Sequence, residues 1–538
     1  MPNRPLSIEA VFSIILSFIK IKRMKDLPIS IQTFKKIREN NYIYVDKTEL
    51  VYEIARKEAS HFFSRPRRFG KSLLVNTFKE LFLGNEKLFQ GLWIYDKWDW
   101  SQSYPVIHLS FDSMDYQGLG LDKAISYELK KYAKKYGVEL STENYKTQFK
   151  ELLIGLYEKE GKIVLLIDEY DKPIIDYLEK EELPEARKNQ KIMKGFYSVL
   201  KNSEDYLRFF FITGVSKFSK VSIFSDLNYL DDLTLDKNCV TLTGYTQEEL
   251  EFYFEEHLQK VMRSLELTRE ELLDNMRIRY NGLSWDGIHK VYSPYGIIHF
   301  LKKETFDNFW FTSGMPNFLS KIMKERLIFD VDNTKVTTID LEKYDIENLD
   351  LVPLFFQTGY LTVKSFNRMT REMLLGYPND EVRESLYGFM IDSIARNEHR
   401  SGAEITNRDL LKAFQDADLD QIKKLINSLL AGLPYEAYRK TAEGLFHGLI
   451  HFIFQLLGMY IKSEVHSSKG RADSIVETRT HVFIFEFKFN KTAAEGLQQI
   501  KDKKYADKYR ASNKTIIGIG VNFVSEDREI NGWETEVL

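Results

Sequence analysis

The sequence holds one cysteine in 538 residues, Cys239. That excludes an internal disulfide and a cysteine-rich zinc site, and it suits a reducing compartment. Net charge is nearly missing as well. Lys and Arg number 76 against 79 Asp and Glu, a formal charge of −3. No global field draws such a chain to nucleic acid, so any contact of that kind needs a local basic patch. Repeats and low-complexity linkers are absent. Long apolar runs are scarce too. The run Ala10–Ile19, followed by Lys20, Lys22, Arg23 and Lys25, falls short of the roughly 20 residues that span a bilayer. No small-residue cleavage site follows it, which argues against a secretory signal. Residues 1–24 read as an N-terminal extension with Met24 as the start. A packed amphipathic helix and a membrane anchor are the competing readings. A cytoplasmic location with no membrane partner is expected.

What is present is an ordinary globular composition, 43% hydrophobic, with an aromatic share of 14% that needs a core to bury it. From Leu27 to about Tyr229, short apolar runs alternate with helical patterns. His61–Ser64, Val106–Ser110, Ile163–Ile167 and Leu207–Thr213 read as strands, with Ser72–Leu83 and Leu121–Tyr136 as helices between them. Such alternation implies crossover units and a parallel sheet. From Cys239 to Arg439 the pattern is mostly helical, as in Gln247–Leu265, Thr268–Tyr280 and Asn407–Leu430, with one strand-like piece at Tyr360–Val363. A third unit starts near Ala442 with a long amphipathic helix, followed by strands at Ala472–Val476, His481–Phe489 and Thr515–Val521.

The chemistry begins at His61-Phe62-Phe63-Ser64-Arg65-Pro66-Arg67-Arg68-Phe69-Gly70-Lys71-Ser72. An apolar strand runs into a loop that opens an apolar-periodic helix, the context a phosphate loop requires. Backbone N–H groups at a helix N-terminus favour phosphate. Lys71 would reach the β- and γ-phosphates, and the Ser72 hydroxyl would ligate Mg²⁺. Arg67 and Arg68 would add charge at the phosphates or complete a neighbouring copy's site. The usual spacing puts a glycine where Arg65 stands. A chance Gly-Lys-Ser turn is the bland alternative for the tripeptide alone.

Ile163–Ile167 then ends in Asp168-Glu169. Asp168 would hold Mg²⁺, and Glu169 would act as general base on the attacking water. Strand Leu207–Thr213 ends in Thr213-Gly214-Val215-Ser216, where Thr213 or Ser216 would sense the γ-phosphate.

These segments, together with Leu27-Pro28-Ile29-Ser30, Tyr44-Val45-Asp46-Lys47-Thr48, Asp168-Glu169-Tyr170-Asp171-Lys172-Pro173 and Gly214-Val215-Ser216-Lys217-Phe218-Ser219, resemble the prokaryotic AAA-ATPase-like family. The resemblance covers about 25–235 and again 430–530. In that family the missing first glycine is typical, and a C-terminal PD-(D/E)XK nuclease-like domain is common. The resemblance implies ATP and Mg²⁺ as cofactors.

Near the C-terminus, Gly470-Arg471-Ala472-Asp473-Ser474-Ile475-Val476 precedes Val482-Phe483-Ile484-Phe485-Glu486-Phe487-Lys488. Strand alternation puts Glu486 and Lys488 on one face. Asp473 and Glu486 would bind Mg²⁺, and Lys488 would orient a water or stabilise developing charge. A half-exposed strand with a salt bridge is the bland alternative. The segment is similar to the PD-(D/E)XK pattern, which also implies a role for Gln499 and for a helix carboxylate, Glu443 or Glu464. Lys501, Lys503, Lys504, Lys508 and Arg510 would track a phosphate backbone or simply be solvated. His447 and His451 read as packing residues, and Trp93, Trp98 and Trp100 as core or lid.

The expected architecture is α/β. Residues 25–235 form a P-loop NTPase domain with a parallel sheet flanked by helices, and 236–435 a helical middle or lid. Residues 436–538 form an α/β restriction-endonuclease-like domain. The expected function is ATP-gated nucleic-acid cleavage, on DNA rather than RNA, with a homo-oligomer among the partners. Two rivals remain: a signalling or scaffold NTPase whose C-terminal domain binds without cutting, and a remodelling ATPase that uses that domain as an adaptor.

Overall fold

A computed structural model describes residues 24–216, 224, 229–310, 331–342, 350–386, 409–410, 412–431, 474–524 and 529–538. Five strands form the first sheet: β1 (Ala59–Ser64), β2 (Val106–Ser110), β3 (Ile163–Asp168), β4 (Leu207–Gly214) and β5 (Leu230–Asp232). All pair in parallel, in the order β2-β3-β4-β1-β5. Ile163–Ile167 and Phe209–Ile212 have no exposed surface, as continuous apolar runs covered on both faces should. The two faces alternate residue by residue. Phe62, Leu165, Ile167 and Ile212 join one core, against helices Leu121–Tyr136, Tyr145–Glu160 and Leu183–Tyr197. Phe63, Leu166, Phe209 and Phe211 join the other, against the phosphate-loop helix Lys71–Phe82. Trp98 and Trp100 pack beside that second core, Trp98 edge-on to Phe82.

In the middle region, helices Gln247–Tyr253, Glu255–Leu265, Arg269–Tyr280 and Pro294–Lys303 surround a separate apolar cluster. Thr246 and Thr268 start two of them with capping boxes to Glu249 and Glu271. The pattern Gln247–Leu265 therefore contains two helices, divided at the fully buried Phe254. A small antiparallel sheet also lies here, beyond what the sequence suggests: β6 (Thr334–Thr337), β7 (Thr362–Asn367) and β8 (Glu372–Gly376), ordered β6-β8-β7. Its short strands expose Lys335, Lys364 and Ser365, so only the start of β7 has the apolar look of a strand.

The C-terminal sheet has the order β12-β11-β10-β9, with β9 (Ser474–Glu477), β10 (His481–Phe489), β11 (Thr515–Val524) and β12 (Glu529–Val537). β9 and β10 form an antiparallel hairpin, while β10 and β11 run parallel. Parallel neighbours need a crossover, here carrying the helix Ala493–Asp502. Gly496 on this helix and Gly520 on β11 let the two backbones meet. A Cβ on Gly520 would stand 2.0 Å from the Ala493 carbonyl oxygen and 2.5 Å from the Leu497 nitrogen. Gly520 is the register partner of Glu486, so this close approach seats the helix beside Glu486. Phe414 covers the opposite face against Phe483 and Phe485. Asn427, on helix Leu419–Ala431, exchanges two hydrogen bonds with the Ile530 backbone. Asp473 adjoins Ser474 in the chain but lies outside the described residues, as do Glu443, Glu464, His447 and His451. Among the described residues no helix is long and apolar enough to cross a membrane.

Gly520→Ala is expected to destabilise the C-terminal sheet by about 1–3 kcal/mol, the usual cost of forcing extra volume into a packed site. The check is a lowered C-terminal transition in calorimetry, with nucleotide binding by the first domain unchanged.

Candidate nucleotide site and nuclease-like site

Three chain segments converge at the carboxyl end of the parallel sheet, where open α/β sheets bind ligands. β4 lies between β1 and β3, with Phe63 opposite Thr213 and Ile167 opposite Ile212. Thr213 thus stands between the end of the phosphate-loop strand and Asp168. Its hydroxyl is fully buried and has no hydrogen-bond partner among the described residues. The same holds for Asp168 Oδ1, on a side chain only 4% exposed. Buried polar atoms are normally paired, so these two mark a place shaped for something beyond the protein.

Gly70 caps the helix Lys71–Phe82 in the left-handed region, φ 87°. A Cβ there would touch nothing within 4 Å, so glycine serves the backbone angle rather than space. Arg68 and Glu169 also hold positive φ, 63° and 52°, a strain that clusters at functional sites. Lys71 is buried and donates to the Pro66 carbonyl at 2.9 Å. Burial lowers its pKa, while Glu169, Asp168 and Asp171 oppose the shift. Burial raises the carboxyl of Asp168 against the Ser72 hydroxyl and the Lys71 charge. Burial likewise raises Glu169, opposed by Lys71 and reinforced by Asp168. A carboxylate so raised is a stronger base.

Above these groups opens a cleft of about 590 Å³, in the size range of small-molecule sites. Lys71, Ser72, Glu169, Arg67 and Arg68 line its polar end. Ile31, Ile43, Leu242, Pro294 and Ile298 line its apolar part. Asp168 and Thr213 lie behind this lining at the strand ends. Arg68 stacks on Tyr295 of the middle region, 4.0 Å from the ring centre. Lys47, another lining residue, pairs with Glu249 at 2.6 Å and ties the N-terminal wall to the middle helices.

Arg65 does not face the cleft. It is 1% exposed and donates to the carbonyls of Ser64, Thr234 and Cys239 at 2.8, 3.0 and 3.1 Å. Its guanidinium sits between the rings of Phe63 and Trp285, at 4.3 and 3.8 Å. Burial pushes its pKa down to about 9, which leaves it charged at neutral pH. Ser216 is also committed elsewhere. Its N–H and hydroxyl donate to buried Asp171 at 2.6 and 2.7 Å, and Val215 N–H adds a third donor. Asp171 thereby fastens the β4 exit to the segment after β3, and Thr213 is the hydroxyl left over. The Asp171 role had no distinct sequence signal beyond its place after Asp168-Glu169.

Trp310 lies in a sequence stretch, 309–316, that resembles a family signature but offers no chemistry to derive. Its indole N–H donates to the Arg67 carbonyl at 3.1 Å, and its backbone N–H donates to Glu381 at 2.6 Å. Burial raises the Glu381 carboxyl to about 8, with Trp310 and Arg279 opposing.

In the C-terminal unit, Glu486 and Lys488 do share the face toward helix Ala493–Asp502. Lys488 donates to Glu486 at 3.1 Å and to the Gln499 amide oxygen at 2.7 Å, and the Gln499 amide nitrogen donates to Glu486. Glu486 is 3% exposed. A carboxyl, an ammonium and an amide thus form one closed ring of hydrogen bonds, the pairing that burying a polar group in an apolar strand requires. No group of three or more potential metal ligands exists among the described residues.

The Glu381 proton gives a pH signature. The folded chain holds it to about pH 8, the unfolded chain only to about 4.5. The stability it contributes is complete below 4.5 and declines as the pH rises toward 8. Glu381→Gln should flatten that decline in melting temperature measured across pH 5–8.

Comparison with known proteins agrees with this layout. Residues 28–224 match the family model described as predicted AAA-ATPase, and residues 441–533 match the PD-(D/E)XK nuclease superfamily. A relative from Azotobacter chroococcum mcd 1, described as an uncharacterized protein in the vnfD 5′ region, is 37% identical over 534 residues. The match covers 96% of this chain and 99% of the relative. The chain therefore belongs to the AAA-ATPase-like family of predicted ATPases and carries a PD-(D/E)XK nuclease superfamily domain at its C-terminus.

Proposed function

We propose that this protein is a cytoplasmic ATPase whose nucleotide state governs a metal-dependent nuclease in the same chain, acting on DNA. The observation that supports it most is the cleft over Lys71 and Ser72 with Asp168 and Thr213 poised behind it. Lys71 neutralises the β- and γ-phosphates, releasing its bond to the Pro66 carbonyl. Ser72 and Asp168 hold Mg²⁺, a fit supported by the bare Asp168 Oδ1. Glu169 takes the proton of the attacking water, and the Thr213 hydroxyl contacts the γ-phosphate. Arg67 and Arg68 add charge at the mouth of the cleft.

In the second site, Asp473 and Glu486 hold the metal, Lys488 orients the nucleophilic water, and Gln499 fixes Lys488. Bound Mg²⁺ supplies charge neutralisation at phosphate and a more acidic water. The domain limits 25–235, 236–435 and 436–538 describe this division of labour.

Lys71→Ala should weaken ATP binding at least about tenfold in titration with a fluorescent analogue, since the Lys–phosphate contact is charge-assisted. Unchanged affinity would overturn the nucleotide site. Glu169→Gln should keep ATP binding while hydrolysis falls about 10²–10⁴-fold, the range of general-base catalysis. Glu486→Gln should abolish DNA cleavage in Mg²⁺ or Mn²⁺ and spare ATP hydrolysis. Absence of cleavage by the unaltered protein over a panel of DNA and RNA substrates would favour a signalling or scaffold NTPase that binds without cutting.

A further inference from the structure

The small sheet of the middle region has no part in either site, yet its exposed side is strongly basic. Turn Asp286–Lys290 lies directly against β7. A Cβ on Gly287 would stand 2.9 Å from Ser365 Cα, and Val363 N–H donates to Ser284 O at 3.2 Å. Lys290 leaves this turn exposed. Lys335 lies across the sheet from Ser365, with Leu374 between them in register. Lys364 covers Gly376. Burial lowers its pKa, and Lys290 and Arg383 do the same against Asp332, so these cations lie close together. The β7–β8 turn adds exposed Arg368 and Arg371 on either side of Met369, which is 96% exposed.

Five exposed cations thus face two exposed acids, Asp332 and Glu372. Lys290, Lys335, Arg368 and Arg371 make no ion pair or side-chain hydrogen bond with any described residue. Some surface cations elsewhere are paired, as in Arg269 with Glu251 and Glu255, or Lys130 with Glu143, so the feature of this face is the gathering of its cations rather than their lack of partners. In a chain with a net charge of −3, five exposed cations gathered on one small sheet and its turns form the kind of local basic patch that a polyanion needs. Its geometry suits a linear polyanion. The charges extend from the turn across the sheet to a protruding hairpin, and a two-stranded β-ribbon is an element the major groove of DNA admits. The face also adjoins the nucleotide cleft in the chain, since Lys290 lies four residues before Pro294, a cleft-lining residue.

We infer that this sheet face and hairpin tip are a DNA-backbone binding surface, separate from the nuclease-like site, contacting phosphates through Lys290, Lys335, Lys364, Arg368 and Arg371. The inference rests on the reading of the chain as a DNA-acting enzyme, and it adds where that DNA is held.

The test compares the full chain with a Lys290→Glu, Lys335→Glu, Arg368→Glu, Arg371→Glu variant for binding to a labelled DNA duplex over a range of salt. A charge-matched control reverses Lys123, Lys130, Lys131 and Lys134 on the helix Leu121–Tyr136. We expect the first variant to lose at least about tenfold in affinity. The slope of log K against log salt should fall by about three to four, near 0.9 per lost phosphate contact. The control should stay within about twofold, and both variants should bind ATP normally. Unchanged affinity and slope in the first variant, or an equal loss in the control, overturns the surface while leaving the nuclease proposal intact. A protein that binds DNA through this face but never cuts it removes the nuclease reading alone. A protein that binds phosphatidylserine vesicles and no DNA overturns both.

Discussion

A buried guanidinium held chiefly by main-chain carbonyls, with the charge of Asp232 supporting it, sets the geometry on which the nucleotide cleft depends. Removing a bare cation from water costs several kcal/mol. Arg65 avoids that cost only where three carbonyl oxygens and two aromatic faces already wait for it. Those partners come from the end of β1, the segment after β5 and the middle region. Holding one side chain by these contacts therefore fixes three parts of the chain relative to each other, immediately before the phosphate loop begins. A glycine at this position would supply flexibility. Arg65 supplies an anchor, and the loop beyond it turns on positive φ at Arg68 and Gly70. Cys239 takes part through its carbonyl, while burial pushes its thiol up to about 12, far from a reactive thiolate.

The same economy governs the acidic side of the cleft. Asp168, Glu169 and Asp171 lie within four residues, yet their surroundings differ. Asp171 is saturated by Val215 and Ser216 donors and acts as a fastener. Asp168 keeps an oxygen without a partner among the described residues. Glu169 lines the cleft itself. Because β4 separates β1 from β3, the fastener on β4 also holds Thr213 at the centre. Strand order, more than any single residue, brings the four groups together.

Much of this was legible in the chain. The apolar runs Ile163–Ile167 and Leu207–Thr213 have one physical interpretation, a strand covered on both faces, and the structure bears it out. Glu486 and Lys488 followed from period-two alternation, and Gln499 joined them only through the family resemblance. Other parts were hidden for definite reasons. The strands β6–β8 are short and half-exposed, so their apolar residues lie too far apart to make a pattern. The choice between Thr213 and Ser216 depended on a carboxylate 45 residues away from Ser216. The hydrogen-bond partners of Arg65 lie up to 174 positions distant, beyond any local window. Gly496 and Gly520 look like weak points in a helix and a strand until they are seen in contact.

Trp310 grips the phosphate loop by the carbonyl of residue 67, a hydrogen bond that does not use the side chain there. A contact to the main chain is blind to residue identity. The brace would hold whatever side chain stood at position 67, so the arginine there answers only to what the mouth of the cleft must attract. Position 310 has no such freedom, because few residues offer a ring N–H at that reach. The two positions are therefore constrained for different reasons, one by charge at the cleft and the other by the reach of a ring N–H.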